Sequence, residues 1–378
     1  MQGLILSSFF WAYALLQIPG GWLIDRYGPR RVIGWSTGLW GAFQTLAAFA
    51  SGGLSLMFAR VALGAAEAPL FPSGGKLNSL WLGSSETQPR RRADGLRRAA
   101  GRRSRRTGHR LPDRRARLLA QRLLHRRHRH PWPWPGWPGT NLRDDPAEHP
   151  GVNAAELGRI NADRTTPLAE ADCQAGGRLG IAGRSLVGIV LGRASWAMVF
   201  FGLLTWGPSY LAQARGFDIK GIGAATFVIF LCGAVGSLVG GFLCDLLIRK
   251  GVRRGLAAKG LLTVSGLAAL VAFLLLPSLE DAYAAVTLLA LTAFFLMWGS
   301  LYWSFPALLA TPARVGLVGG VMNMAGSLGG IAVPILVGLL LQHLGGYAAV
   351  LGFFALCSAA FIAGTLLISL DKTEAKHG

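Results

Sequence analysis

Two ionisable residues, Arg60 and Glu67, stand seven positions apart in an apolar run of the chain. In an α-helix this spacing places both side chains on one face, two turns apart. A charge inside a membrane is costly unless it faces a cavity or a partner, so such residues are functional candidates. Glu67 could take up and release a proton, and Arg60 could balance a substrate carboxylate or act on Glu67. The alternative is structural: Arg60 extends to the membrane interface, and Glu67 is its partner.

A second group of charges follows the first apolar run and is repeated later in the chain. Duplication of such a motif predicts two related helical bundles with a site between them near the membrane midplane. The positive-inside rule places both basic loops in the cytoplasm. The first copy contains Gly20, Gly21, Asp25, Arg26, Gly28, Arg30 and Arg31; the second contains Gly240, Gly241 and Asp245, followed by Arg249, Lys250, Gly251, Arg253 and Arg254.

The elements that must position these residues are membrane-spanning helices. The chain has 378 residues, of which 52% are hydrophobic. Its longest apolar stretches reach the roughly 20 residues that cross a hydrocarbon core of about 30 Å as a helix. We therefore expect an all-α, polytopic membrane protein. The nine predicted spans are 3–24, 32–50, 54–82, 188–213, 222–248, 256–277, 284–306, 315–341 and 347–370.

Motifs for other chemistries are missing from the sequence. It has no Walker motif, no zinc-binding spacing and no catalytic triad, which argues against an ATP-driven pump and against an enzyme. Its four cysteines are isolated from one another and are interpreted as packing residues. We expect no cofactor and no metal.

The motif formed by Gly21, Asp25, Arg26, Gly28, Arg30 and Arg31 resembles the loop between helices 2 and 3 of the major facilitator superfamily. The resemblance narrows to that superfamily's anion:cation symporter group, which carries sugar acids and other organic anions. Four segments carry it: 9–21 and 59–72 resemble helices 2 and 4 of the group, 204–211 resembles the end of helix 7, and 323–334 resembles helix 11.

This resemblance implies a major facilitator fold of two pseudo-repeated bundles, here with about nine of the twelve helices. The readable helices are 2, 3, 4 and 7–12; helix 1 has no counterpart, and the chain begins where helix 2 should. The expected domains are a partial N-terminal bundle (1–86), an aberrant segment in place of helices 5 and 6 (87–141), a cytoplasmic loop between the bundles (142–185), and a C-terminal bundle (186–378).

The resemblance also implies a function and a set of site residues. The protein would be a secondary transporter of the bacterial inner membrane, a monomer that carries an organic anion with protons by alternating access. Glu67 would couple transport to protons, and Asp25 and Asp245 would belong to a cytoplasmic gating motif. The implied substrate-binding residues are Tyr13, Arg60, Ser300, Trp303 and Asn323. Tyr13 could instead be a packed aromatic, Trp303 an interfacial anchor, and Lys76 a side chain that reaches the membrane surface from a helix end.

Residues 87–141 hold 17 arginines, no lysine, two aspartates and no glutamate. A segment this basic cannot cross a bilayer, because each central arginine costs about 2.5–3.5 kcal/mol even on the permissive insertion scale. Its 55 residues are the length that two helices and a turn need. The family pattern stops at Thr87 and resumes at Leu142, so we interpret the segment as a reading-frame slip in GC-rich DNA.

A basic arm is the alternative interpretation of residues 87–141. The arginines could bind anionic lipid or nucleic acid, and Trp132, Trp134 and Trp137, which follow them, could supply stacking or interfacial anchors. The protein would then be a non-transporting membrane protein. Basic arms usually mix lysine with arginine, however, and this one would replace two helices, so we expect no nucleic-acid partner.

Resequencing the gene from independent DNA tests the frame slip. The slip predicts that a one-base change near codons 87 and 142 restores two apolar helices between them. A single intact frame that reproduces the arginine segment would exclude it.

Overall fold

The computed structural model describes residues 2–81, 143–154, 157–158, 160, 181–311, 313–344 and 346–370. The described part of the chain is helical and contains no strand. This confirms the expected all-α fold. The segment 87–141, interpreted above as a frame slip or a basic arm, lies outside the described residues.

Five helices precede the arginine segment. They are α1 (Gln2–Leu15), α2 (Gln17–Tyr27), α3 (Pro29–Ala48), α4 (Gly53–Glu67) and α5 (Leu70–Trp81). The predicted span 3–24 is therefore two helices joined at Leu16. The predicted span 54–82 is also two helices, joined at Ala68 and Pro69. Proline has no N–H, so position 69 cannot donate the helical backbone hydrogen bond, which explains the second break although Ala68 keeps helical dihedral angles.

Seven further helices follow residue 181, joined by short connections. A 3₁₀ segment, Met297–Ser304, interrupts the predicted span 284–306 between two of them. The seven are α6 (Gly183–Arg215), α7 (Ile219–Arg249), α8 (Arg254–Leu275), α9 (Ala282–Leu296), α10 (Phe305–Leu309), α11 (Val315–Leu344) and α12 (Tyr347–Leu367).

Seven helical segments of the described chain are long and apolar enough to cross a membrane: Gly53–Trp81, Gly183–Arg215, Ile219–Arg249, Arg254–Ser278, Ala282–Leu309, Val315–Leu344 and Tyr347–Leu367. Large apolar side chains face outward on them, as Leu238 does with 77% of its surface exposed. Such exposure is expected where lipid, rather than water, covers the helix. The two remaining predicted spans correspond to α1 with α2, and to α3.

Glycines let the helices of the C-terminal part approach closely. The backbone of α6 at Gly188 and Gly192 lies directly against Gly364 of α12. A side chain at Gly188 or Gly364 would collide with the opposing backbone, and one at Gly192 would collide with the hydroxyl of Tyr302. Small residues at helix crossings are how membrane helices gain packing contacts. The resulting core buries Tyr302, Phe305 and Phe361 completely, and it provides a rigid support for the polar residues of α6 and α11.

Candidate functional site

Asp25, near the C-terminal end of α2, connects three helices. Its Oδ1 atom lies 2.6 Å from Nζ of Lys76 on α5. The same carboxylate accepts hydrogen bonds from the amide nitrogens of Gly316 (3.0 Å) and Leu317 (2.7 Å), in the first turn of α11. These amides have no acceptor within their own helix, and the helix dipole favours an anion there. We call this arrangement of Asp25, Lys76 and the two amides the Asp25 clamp.

Glycines make the Asp25 clamp possible because α2 and α11 touch backbone to backbone. A side chain at Gly21 would collide with the carbonyl of Gly316, and one at Gly316 would lie 2.7 Å from the carbonyl oxygen of Gly21. One turn further along α11, Gly320 meets the carbonyl of Gln17 in the same way. The two helices therefore pack against each other without a gap over this turn.

Lys76 is a residue whose role the sequence interpretation missed. The sequence suggests a side chain that reaches the membrane surface from a helix end, whereas the structure buries Lys76, with 7% of its surface exposed, and pairs it with Asp25. Removing one partner of an ion pair this deeply buried strongly destabilises the folded protein, because the other charge is left without compensation.

The other residues of the first motif lie near the Asp25 clamp but make none of its contacts. Gly28 joins α2 to α3 at φ +85°, a conformation that favours glycine. The amide nitrogen of Arg30 donates to Oδ1 of Asp144 at 2.8 Å. Arg26 is exposed and stacks over the rings of Trp22 and Tyr27. Arg31 is exposed at the start of α3.

The second copy of the motif is not paired in the same way. Asp245 on α7 forms no hydrogen bond or ion pair with any residue that the structure describes. In the internal repeat, Asp245 corresponds to Asp25, and the helix that corresponds to α11 is helix 5 of the family. Helix 5 is expected within 87–141, outside the described residues.

Three of the five expected substrate-binding residues lie where the N-terminal helices meet the C-terminal ones. Nδ2 of Asn323 on α11 donates to the hydroxyl of Tyr13 on α1 at 3.2 Å. The indole of Trp303 stacks on Phe71 of α5, with ring centroids 6.0 Å apart. Tyr13, Asn323 and Trp303 thus bring polar groups from both sides to one interface, as a site between bundles requires.

Arg60 and Glu67 do not pair with each other. Neither makes a hydrogen bond or ion pair with another residue in the described ranges, although both side chains are partly buried. The structural alternative, in which Glu67 neutralises Arg60, is therefore not observed. Ser300 is exposed in the 3₁₀ segment, and no contact joins it to Tyr13 or Asn323.

Arg193, on α6, is a second residue that the sequence analysis missed. Its guanidinium lies 4.2 Å from the ring centroid of Trp196, which is itself held by a 2.7 Å hydrogen bond to the carbonyl of Leu296. It packs on Gly326 of α11, one turn beyond Asn323, and is close enough to Tyr13 for an electrostatic interaction. The Nε atom is buried and lacks a hydrogen-bond partner among the described residues.

A separate cavity lies between α6, α8, α9 and α12, away from these polar groups. Its lining is almost entirely apolar and includes Leu203, Trp206, Phe273 and Phe354. Such a lining offers few hydrogen-bonding groups to a polar ligand. We therefore place the candidate site at Tyr13, Arg193 and Asn323.

A double-mutant cycle tests the Asp25 clamp. Asp25→Ala should lower the free energy of unfolding by about 3–5 kcal/mol, because it leaves Lys76 buried without a partner. Lys76→Met should cost less, since Asp25 keeps its two amide donors. The double variant should be less destabilised than the sum of the two, by about 0.5–3 kcal/mol. Denaturant titration of the purified protein in detergent micelles gives these values.

Arg26→Gln is the matched control for that cycle, because Arg26 belongs to the same motif but lies outside the clamp. Its effect should remain within about 0.5 kcal/mol. Strictly additive effects of the Asp25 and Lys76 substitutions would show that the two side chains do not act together.

Comparison with known proteins agrees with this architecture. A sequence profile of the Major Facilitator Superfamily matches residues 1–91 and 140–334. The chain is 30% identical to the probable galactarate/D-glucarate transporter GarP of Escherichia coli strain K12, over 95% of this chain and 83% of that protein. It is 32% identical to the D-galactonate transporter of Escherichia coli O6:H1, over 91% and 81% of the two chains.

A third relative and a solved structure extend the comparison. The probable sulfoacetate transporter SauU of Cupriavidus necator is 30% identical, over 100% of this chain and 87% of that protein. The fold resembles the crystal structure of the transporter FucP in the outward conformation, with a TM-score of 0.62 and 14% identity over 97% and 90% of the chains. The chain therefore belongs to the Major Facilitator Superfamily of membrane transporters.

Proposed function

We propose that this chain has the architecture of a carrier that moves an organic anion, a sugar acid such as an aldonate, aldarate or hexuronate, together with protons. The observation that carries the proposal is Arg193: a guanidinium at the interface between the helices, with no counter-ion among the described residues. A cation held there without a partner is costly unless a ligand supplies the negative charge.

The groups around Arg193 fit the remainder of such a substrate. Asn323 offers an amide and Tyr13 a hydroxyl, and together they can donate and accept hydrogen bonds to hydroxyl groups. Guanidinium binds a carboxylate through two parallel hydrogen bonds, which fixes the orientation of the acid. Galactarate, glucarate and galactonate, the substrates in the names of two relatives, combine hydroxyls with carboxylates in this way.

Transport would follow from the way the two sets of helices meet. The Asp25 clamp closes one end, which the basic loops predict to be cytoplasmic. Release of α11 from Asp25 would open that end and let the substrate leave. Glu67 is the proposed proton site, and Arg60 the residue proposed to balance a substrate carboxylate or to tune Glu67 without forming an ion pair with it. We infer that the carrier acts as a monomer in the lipid bilayer.

The arginine segment bears on whether the chain as written transports at all. Because residues 87–141 take the place of helices 5 and 6, we propose that this chain is defective as a carrier. Uptake of labelled D-galactonate or D-glucarate into proteoliposomes should fail for the 378-residue chain and succeed when two apolar helices replace residues 87–141. Failure of both proteins would favour a membrane protein that does not transport, with its basic arm bound to anionic lipid or nucleic acid.

Glu67→Gln tests proton coupling in the restored protein. The variant should lose uptake driven by a pH gradient but keep counterflow exchange, because glutamine cannot carry the proton while the substrate site is intact. Proteoliposomes with and without an imposed gradient provide both measurements. Uptake that still responds to the gradient would contradict the assignment of Glu67.

Arg193→Gln tests the anion site. Loss of a charge-assisted hydrogen bond should weaken the binding of D-galactonate roughly 10- to 100-fold, while binding of the neutral polyol galactitol should change little. Arg184→Gln is the control, since Arg184 is exposed on the same helix. Equilibrium binding of labelled ligand to the purified protein measures both. Equal losses for the acid and the polyol would show that Arg193 supports the structure and does not bind the acid.

A further inference from the structure

Residues 143–151, which follow the arginine segment, are packed on the N-terminal helices. Asp145 accepts a hydrogen bond from the amide of Ala147 at 3.1 Å, which caps the short 3₁₀ turn Pro146–Glu148. Pro146 is buried. Residues 142–185 were expected to form a cytoplasmic loop between the bundles, and the structure gives this part of it a defined shape and defined contacts. We call residues 143–151 the strap.

The first contact of the strap is with the turn between α2 and α3. Oδ1 of Asp144 accepts the amide hydrogen of Arg30, in the first turn of α3, at 2.8 Å. A carboxylate at this position satisfies an amide that has no acceptor within its own helix and interacts favourably with the helix dipole. The other carboxylate oxygen lies so close to Gly28 that any side chain there would collide with it.

The second contact of the strap is with the end of α5. Nε1 of Trp81, the last residue of that helix, donates to the carbonyl oxygen of Arg143 at 2.9 Å. The ring of His149 packs edge-on against the same indole, with centroids 5.3 Å apart. Trp81 is therefore held from both ends of the strap.

These two contacts fall on the two elements that carry the ion pair of the Asp25 clamp. Asp25 lies three residues before Gly28, and Lys76 lies five residues before Trp81. The strap thus ties the end of α2 to the end of α5, next to the point where Asp25 and Lys76 meet. The hydrogen bonds to Arg30 and Trp81 and the contact of His149 with Trp81 do not involve α11, so opening of the clamp at α11 leaves these three contacts in place.

We infer that the strap positions the Asp25 clamp, with Asp144 as the positioning residue: it holds the α2–α3 turn so that Asp25 stays aligned with both Lys76 and the start of α11. The strap and the N-terminal helices then move as one unit when α11 separates. Asp144 acts through Asp25 and touches no substrate. This inference does not depend on which substrate is carried.

The test measures the distance between α3 and α11 in the 378-residue chain. Spin labels are placed on Trp35→Cys, an exposed position of α3, and on Ala313→Cys, an exposed residue before α11, with the native cysteines replaced. Asp25→Ala defines the distance distribution of the opened clamp. Asp144→Ala should show the same population at the longer distance between the labels. Asp144→Asn should return to the wild-type distribution, because its amide oxygen still accepts the Arg30 amide hydrogen.

Two further variants keep the test decisive. Trp81→Phe keeps an aromatic ring but removes the N–H donor, so it should give a smaller population at the longer distance. It serves as the test if Asp144→Ala does not fold. Glu148→Gln, an exposed strap residue, should leave the distribution unchanged. The inference is overturned if folded Asp144→Ala keeps the wild-type distribution while Asp25→Ala does not, even if its melting temperature falls.

Discussion

The contact of the Asp25 carboxylate with the first turn of α11 is the interaction on which the rest of the structure depends. A helix that begins at Val315 presents amides that have no acceptor of their own. Asp25 accepts two of them and also neutralises the buried Lys76. The carboxylate can reach these partners only because Gly21 and Gly316 allow the two backbones to touch. One acidic side chain thus joins α2, α5 and α11.

The helix α11 and the consecutive helices α1 and α2 contribute residues to both the Asp25 clamp and the candidate site. Asn323 lies seven residues beyond Gly316 on α11, a rise of about 10 Å, and its partner Tyr13 lies on α1, which leads directly into α2. A displacement of α11 from α2 that breaks the Asp25 contacts therefore also disturbs the Asn323–Tyr13 bond. This geometry links access at one end with the groups proposed to hold the substrate, which is the coupling that alternating access requires.

The parts of the fold that could be predicted from the sequence are those with a local signal. Apolar length predicts the spans, and the repeated Gly-Gly-x3-Asp pattern predicts a structural role for Asp25. Lys76 could not be predicted, because its partner lies 51 residues away and only the tertiary fold brings them together. Arg193 carried the same signal as Arg60, an ionisable residue within an apolar run, but its position near the expected start of the span 188–213 concealed it.

Hydrogen–deuterium exchange at single-residue resolution tests the central claim most directly, with the amides of Gly316 and Leu317 as reporters. Both should be protected in the native chain and should lose that protection in Asp25→Ala, while amides in the middle of α11, which bond within the helix, keep theirs. Equal exchange of Gly316 and Leu317 in the two proteins would contradict the claim that the Asp25 carboxylate holds the start of α11.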